Sequence, residues 1–208
     1  MPSFDAGLAP DRPQAPRLRR ADAQRNYERL LATAREVFAE RGADAPLDEI
    51  ARRAGIGNAT MYRHFPTRSE LLIAVYADEV AALCSQGESL LTDASPGDAL
   101  FEWLGAFLAH VATKRDLALT IPDDQEGQRS ELFDRWHTAM RAIASKLLAR
   151  AQDAAAARAD LDPSDLLTLA AGIAAASTGP EQAERCLEVL RHGISRDGRG
   201  RRRGLQGG

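Results

Sequence analysis

Apolar residues recur every three or four positions along almost the whole chain, and no segment alternates apolar and polar residues as a half-buried strand does. An α-helix turns once in about 3.6 residues, so this spacing gathers the apolar side chains on one face of a helix. Stretches that contain glycine or proline, such as 42–46, 55–57 and 95–97, separate successive periodic segments. The pattern therefore predicts an all-α fold.

Three helices are predicted before Pro66, the last two of them short. Their apolar residues lie at 27–38, 47–54 and 61–65, a glycine ends each of the first two, and Pro66 closes the third because proline cannot continue a helix. The second and third helices, joined by a glycine-containing turn, have the lengths of a helix-turn-helix. Helix pairs of this kind also occur as simple packing units, so the pattern alone leaves both interpretations open.

Longer helices are predicted after Pro66. A capping-box spacing at Thr67 and Glu70 starts a long helix, which should bridge the two halves of the chain. The apolar stripes that follow cover 72–90, 100–111, 132–148, 163–176 and 183–194, with a short segment through Leu119 and a polar loop over 122–127. We predict a disordered basic arm at 1–20, a helix-turn-helix domain at 21–67, a helical effector-binding and dimerisation domain at 68–194 and a disordered tail at 195–208.

Charge is distributed unevenly along the chain. The formal net charge is -3, yet residues 11–70 hold 12 arginines against 9 acidic residues, whereas residues 71–195 hold 10 lysines and arginines against 19 acidic residues. A basic segment joined to an acidic body is typical of a protein whose first part faces nucleic acid. Chance clustering of surface charge remains the alternative at this point.

Several classes of protein find no support in the sequence. The first residues lack the charged, apolar and small-residue order of a signal peptide, and no run of about 18 apolar residues occurs, so we expect a cytoplasmic protein without a membrane partner. Cys84 and Cys186 are far apart and predict buried core thiols, and the histidines lack partners at ligand spacing, so we expect no metal and no cofactor. No nucleophile motif or cofactor loop is present. We therefore expect no enzyme, although His110 and His137 with a carboxylate could form an acid–base site.

Residues 46–72, PLDEIARRAGIGNATMYRHFPTRSELL, closely resemble the DNA-binding domain of the tetracycline-repressor (TetR) family of regulators. The similarity extends over about residues 22–72. Its most specific positions are Ile56, Thr60, Met61, Tyr62, His64 and Phe65. The resemblance implies a two-domain homodimer of about nine helices that binds a palindromic double-stranded DNA operator and is commonly released by a small-molecule effector. Many relatives carry Ser where this chain has Gly57 and Gly where it has Ala59.

The same resemblance indicates which residues contact DNA. The start of the third helix matches the positions that face base edges and nearby phosphates, and Tyr62, His64 and Arg68 match phosphate-contacting positions. The alternatives are a core aromatic at Tyr62 and a structural histidine at His64. The predicted DNA contacts are Asn58, Ala59, Thr60, Tyr62, Arg63, His64 and Arg68.

Two clusters with aromatic side chains at helical spacing are candidates for an effector pocket, because small-molecule sites are mostly apolar with a few polar groups. The residues are Trp103, Phe107, His110, Phe133, Trp136, His137 and Met140. Ordinary core packing is the alternative, and it would suit a regulator whose cavity is filled and which needs no effector.

The last two helices resemble the pair through which members of the family dimerise. Small residues over 170–176 would let two backbones approach closely, and packing of the same helices within one protomer is the alternative. The predicted interface residues are Ala170, Ile173, Ala174, Leu187, Leu190 and Ile194.

Overall fold

The computed structural model describes the backbone of residues 14–120 and 128–194, and the side chains of residues 20–112 and 131–194. These residues form helices and connecting turns with no strand, which confirms the predicted all-α fold. The helices are α1 (Gln14–Arg41), α2 (Leu47–Arg53), α3 (Asn58–His64), α4 (Arg68–Leu90), α5 (Pro96–Thr120), α6 (Gln128–Asp153), α7 (Pro163–Ala176) and α8 (Pro180–Ile194).

Two helices differ from the sequence prediction. α1 begins at Gln14, inside the segment predicted as a disordered arm, and Pro16 is compatible with its first turn because the N–H groups there have no partner within the helix. α5 continues to Thr120 instead of ending near Val111, because no glycine or proline interrupts that stretch. Residues 1–13 of the predicted arm, the loop over 122–127 and the tail over 195–208 lie outside the described residues.

The chain divides into two compact units, Met1–Leu71 and Leu72–Gly208. In the first unit α1, α2 and α3 enclose an apolar core whose fully buried side chains include Leu30, Ile50 and Met61. Gly55 follows α2 with φ of 64°, a backbone conformation that glycine adopts without strain. The adjacent carbonyl of Ala54 accepts a hydrogen bond from the Arg29 guanidinium of α1. The turn between α2 and α3 is therefore fixed to α1.

In the second unit α5 is central and packs against α6, α7 and α8. Trp103 of α5 is completely buried, and its Nε1 donates a hydrogen bond of 3.0 Å to the carbonyl of Leu83 in α4. Gly87, one turn further along α4, lies at the same contact, because a Cβ built on it would be 2.1 Å from Cγ2 of Ile143. α4 therefore needs glycine at the point where it meets α5 and α6. None of the described helices is both long and apolar enough to cross a membrane.

Candidate nucleic-acid interface

α2 and α3 form a compact helix-turn-helix. The N–H of Ile56 donates to the carbonyl of Ala51 at 2.9 Å, and the buried Ile56 side chain joins the core below the turn. Gly57 occupies the N-cap of α3 without a side-chain hydrogen bond, and a glycine costs little there relative to serine. Met61 and Phe65 are buried and fix the inner face of α3.

The outer face of α3 carries most of the predicted DNA contacts. Asn58, Ala59, Tyr62 and Arg63 are exposed, and their spacing puts them on one side of the helix. No hydrogen bond or ion pair joins the Arg63 guanidinium to another described residue. The helix therefore presents an amide, a methyl, a phenol and a cation to the surroundings. Thr60 is half-buried.

Tyr62 is 45% exposed, so it is not the core aromatic that the sequence left open. Its hydroxyl lies 3.2 Å from Oδ1 of Asp48 at the start of α2, to which it donates a hydrogen bond. The negative charge of Asp48 raises the pKa of the Tyr62 phenol, while the Arg68 cation acts weakly in the opposite direction. Tyr62 therefore remains a protonated hydrogen-bond donor.

His64 lies at the edge of the core of the first unit. Its ring centroid is 6.2 Å from that of Tyr27 and 6.3 Å from that of Phe65, and its Nε2 is buried without a hydrogen-bond partner among the described residues. Burial, followed by the positive charge of Arg63, lowers the pKa of His64. Its surroundings are those of the structural histidine that the sequence left open.

Arg68 ties the start of α4 to the turn between α1 and α2. Its Nη1 donates to the carbonyls of Ala43 and Ala45 at 2.7 and 2.6 Å. The predicted phosphate contact must therefore be made by the rest of this guanidinium, and the pair of carbonyl bonds holds it in place.

The arginines around α2 are largely engaged by acidic residues. Arg53 donates to Glu40 at 2.7 Å and to Glu49 at 3.2 Å, and the hydrogen bond to Glu40 is the main cause of a raised pKa at Arg53. Arg41 also pairs with Glu49. Nη2 of Arg52 lies 3.9 Å from Oε1 of Glu49 as well. Among the arginines of α2 and α3, Arg63 is therefore the exposed cation that has no ion pair with the described residues.

In the second unit, several predicted pocket residues surround Tyr76 of α4. The Tyr76 ring centroid lies 4.6 Å from that of Trp136, 5.1 Å from that of His110 and 5.4 Å from that of Phe133. Nδ1 of His110 is 3.7 Å from a carboxylate oxygen of Glu79. Burial and the charge of Glu79 raise the pKa of the Tyr76 phenol. The cluster combines aromatic surface with a phenol and a histidine–carboxylate pair.

The other predicted pocket residues are placed differently. Trp103 stacks on Phe107 with 5.7 Å between ring centroids and is fully buried, and Met140 is buried as well. His137 is exposed. Tyr76 was missed as a pocket residue because its place in the stripe of α4 shows only that it is buried; its aromatic partners come from helices far away in the sequence.

A separate groove lies between α5, α7 and the start of α8 and has a volume of about 460 Å³. Small residues leave this space open, and Glu184 is the ionisable side chain in its lining. The lining includes Gly105, Ala109, Ala112, Ala174, Ala183 and Glu184.

The predicted dimer residues divide between the inside and the surface of the protomer. Ala170 and Ile194 are buried within it, so these two positions fit the alternative of intramolecular packing, while the remaining four are half-buried. The large exposed apolar side chains on these helices are Leu169 and Val189, 46% and 73% exposed, which the sequence prediction did not include. The half-buried residues are Ile173, Ala174, Leu187 and Leu190.

The cysteines and metal-ligating residues offer no further site. Cys84 and Cys186 are free thiols that are half-buried, so the prediction of fully buried core thiols was wrong. In the parts of the chain that the structure describes, no group of three or more histidine, cysteine and carboxylate side chains could hold a metal ion.

An all-α protein whose chain begins with a helix-turn-helix unit and continues into a larger helical unit has the architecture of a bacterial DNA-binding regulator. Residues 30–75 match the family model described as bacterial regulatory proteins, tetR family, and residues 95–196 match that of the SbtR-like transcriptional regulator C-terminal domain. A TetR transcriptional regulator from Streptomyces coelicolor is 34% identical, covers 81% of this chain and 98% of its own, and superposes with a TM-score of 0.67.

A TetR transcription regulatory protein from Mycobacterium vanbaalenii is also 34% identical, with 85% of this chain and 98% of that chain covered and a TM-score of 0.69. The regulator SrpR of Pseudomonas putida is 43% identical over 58 residues, and the activator FasR of Mycolicibacterium smegmatis is 46% identical over 57. These segments cover 27% of this chain in each case, and 27% of SrpR and 26% of FasR. The chain belongs to the TetR family of DNA-binding transcriptional regulators.

Proposed function

We propose that the protein is a homodimeric repressor that binds a palindromic operator through α3 and releases it when a small molecule binds the second unit. The observation that carries the DNA part is the exposed face of α3, where Asn58, Ala59, Tyr62 and Arg63 stand over a buried Met61 and contribute little to the core. Side chains that are free of intramolecular packing are available to another surface.

Each exposed side chain of α3 suits a particular part of a duplex. Asn58 can bond adenine through both its donor and its acceptor, and the methyl group of Ala59 can contact that of thymine. Tyr62, Arg63 and the free part of the Arg68 guanidinium are donors for phosphate oxygens, which fix register without reading sequence. Thr60 lies in the first turn of α3 and is half-buried.

For the effector we propose the cluster around Tyr76. Aromatic rings of Phe133 and Trp136 offer apolar contact, and the phenol of Tyr76 with the His110–Glu79 pair offers polar groups that orient a ligand. Because α4 follows α3 in the chain after residues 65–67 and carries Tyr76, we propose that ligand binding is coupled to operator binding through α4. A coupling of about 1–3 kcal/mol changes operator affinity roughly 5- to 150-fold.

For dimerisation we propose the outer faces of α7 and α8. Leu169 and Val189 are exposed there, and the Cβ positions of Gly172 and Gly193 have no neighbour within 4 Å. Glycine in a helix costs about 0.5–1 kcal/mol relative to alanine, a cost that close approach of a second backbone would explain. Two-fold symmetry then matches half-sites about one helical turn, roughly 34 Å, apart.

The decisive experiment selects bound duplexes from a random pool with the purified protein at low and physiological salt. We expect enrichment of a palindrome, loss of enrichment with Arg63→Gln, and no change with Arg135→Gln, at an exposed arginine on α6. Failure to enrich any sequence at either salt concentration would refute sequence-specific binding. A reporter that carries the palindrome should be transcribed more strongly without the protein; weaker transcription would identify an activator.

Effector release is tested separately, with compounds that raise the thermal stability of the protein. Such a compound should weaken operator binding, and Trp136→Ala should remove both effects while it leaves operator affinity in the absence of the compound unchanged. An operator affinity that no bound compound alters would eliminate the release mechanism and favour a constitutive regulator.

A further inference from the structure

The Tyr62 hydroxyl already has a hydrogen-bond partner inside the protein. Oδ1 of Asp48, the second residue of α2, accepts this hydrogen bond at 3.2 Å, although the two residues are 14 positions apart and both are exposed. No core packing requires this contact, because neither side chain is buried. It joins the start of α2 directly to the outer face of α3.

A phenol has one proton to donate, whereas an ionised carboxylate and a phosphate are both acceptors without a proton. Tyr62 therefore cannot donate to Asp48 and to a phosphate oxygen at the same time. An approaching phosphate must replace the carboxylate as the acceptor, and it must do so close to a like charge that repels it. The hydrogen bond to Asp48 and the hydrogen bond to phosphate therefore exclude each other, because both need the same hydroxyl hydrogen.

We infer that Asp48 is a specificity-determining residue that occupies the Tyr62 hydroxyl as an intramolecular substitute for phosphate and so limits the affinity of the free protein for DNA. The inference deepens the proposed function and rests on its Tyr62–phosphate contact. Hydrogen bonds to a charged acceptor are stronger than those between neutral groups, so only a phosphate held firmly in place by other contacts replaces Asp48.

The test is a double-mutant cycle of Asp48→Asn and Tyr62→Phe, with affinities measured by fluorescence anisotropy on a random-sequence duplex and on the selected palindrome. Asp48→Asn keeps the shape of the side chain and removes its charge. We expect it to tighten binding by about three- to tenfold, because a neutral amide oxygen competes less well than a carboxylate with a phosphate for the Tyr62 hydrogen bond. In the Tyr62→Phe background the gain should shrink to that of Asp44→Asn, a charge-removing control at an exposed carboxylate in the preceding turn.

The outcomes separate this inference from the proposal beneath it. Suppose that Tyr62→Phe weakens binding but that Asp48→Asn tightens it equally with and without Tyr62. The phosphate contact of Tyr62 is then supported, but the role of Asp48 is overturned, because its effect on affinity reflects through-space repulsion only. Weaker binding by Asp48→Asn overturns it as well. If Tyr62→Phe changes affinity in neither background, both the contact and the inference are wrong.

The salt dependence of the coupling between Asp48→Asn and Tyr62→Phe provides a second test of the exchange of hydrogen-bond partners. A neutral phenol releases no counterion when it binds phosphate, so the coupling between the two substitutions should persist from low to physiological salt. The gain from Asp44→Asn should decline over the same range because exposed charges are screened. A coupling that disappears with added salt would contradict the exchange of hydrogen-bond partners.

Discussion

At the scale of single residues, the side chains expected to meet DNA are held in three ways. Asn58 and Arg63 are exposed and free of ion pairs with the described residues, Tyr62 and Arg68 are tied to acceptors within the protein, and His64 is half-buried. The resemblance to the family indicated these positions, but the periodicity of a helix does not reveal the partner of each polar atom. Such partners lie far away in sequence, as Asp48 does from Tyr62.

The lowered pKa of His64 predicts a dependence of stability on pH. The folded state holds this pKa below the ordinary value of 6.5, so the unfolded chain binds a proton at pH values where the folded chain does not. The contribution of His64 is therefore fully present above pH 6.5 and is lost as the pH falls towards the lowered value. Urea unfolding from pH 7.5 down to pH 5.5 should show a decrease in the free energy of unfolding that is smaller for His64→Gln.

Arg63→Gln tests the contribution of the neighbouring positive charge to the lowered pKa of His64. Removal of this cation should raise the pKa of His64, which an NMR titration of the imidazole would detect, whereas Arg52→Gln, at another exposed arginine, should leave it in place. A His64 that titrates at or above 6.5 in the folded protein would contradict the effect of burial.

At the scale of elements, the spacing of apolar residues predicted the helices well because burial of one face stabilises a helix in most proteins. Helix ends were less predictable where no glycine or proline marked them, as at Gln14 and Thr120. Asp162 shows the opposite case: its side chain accepts a hydrogen bond from the Ser164 N–H at 2.7 Å, and Pro163 follows it, so this start was predicted correctly.

The contact of α4 with α5 and α6 at Gly87 predicts a clear effect of a single methyl group. Gly87→Ala should lower the free energy of unfolding by about 1–3 kcal/mol, because the added Cβ overlaps Cγ2 of Ile143 and crowds the Trp103 indole. Chemical denaturation would measure the loss.

Ile143→Leu removes the branched Cγ2 methyl and should recover part of the stability that Gly87→Ala loses. Gly97→Ala, where the nearest atom is the methyl of Ala156 at 3.0 Å, is a milder comparison within the same unit. A Gly87→Ala protein as stable as the wild type would show that the helices separate readily at this point.

At the scale of the whole molecule, the sequence predicted a DNA-binding part more sharply than an effector-binding part. The helix-turn-helix carries a specific series of residues, whereas the second unit carries apolar stripes that describe a core and a pocket equally well. Only the structure separates the fully buried Trp103 from the group around Tyr76, because that distinction depends on contacts between α4, α5 and α6.

The exposed faces of α7 and α8 predict the response of the oligomer to added charge. Val189→Asp and Leu169→Asp should shift a dimer towards monomer, because an unpaired carboxylate would be buried at the interface. Sedimentation equilibrium would measure the dissociation constant of each variant. Ala139→Asp, at an exposed position on α6, should behave as the wild type, and an unchanged oligomeric state for both α7 and α8 variants would place the interface elsewhere.

The division of α3 into a buried face and an exposed face has a consequence for evolution. Met61 and Phe65 carry the folding requirement, while Asn58, Ala59 and Arg63 make almost no demand on stability. Substitutions at the exposed positions can therefore accumulate after gene duplication without passing through an unfolded intermediate. If Asn58 and Ala59 face base edges as proposed, a copy of this protein could acquire a new target in a few steps, and a designed library at these two positions would be a direct way to redirect it.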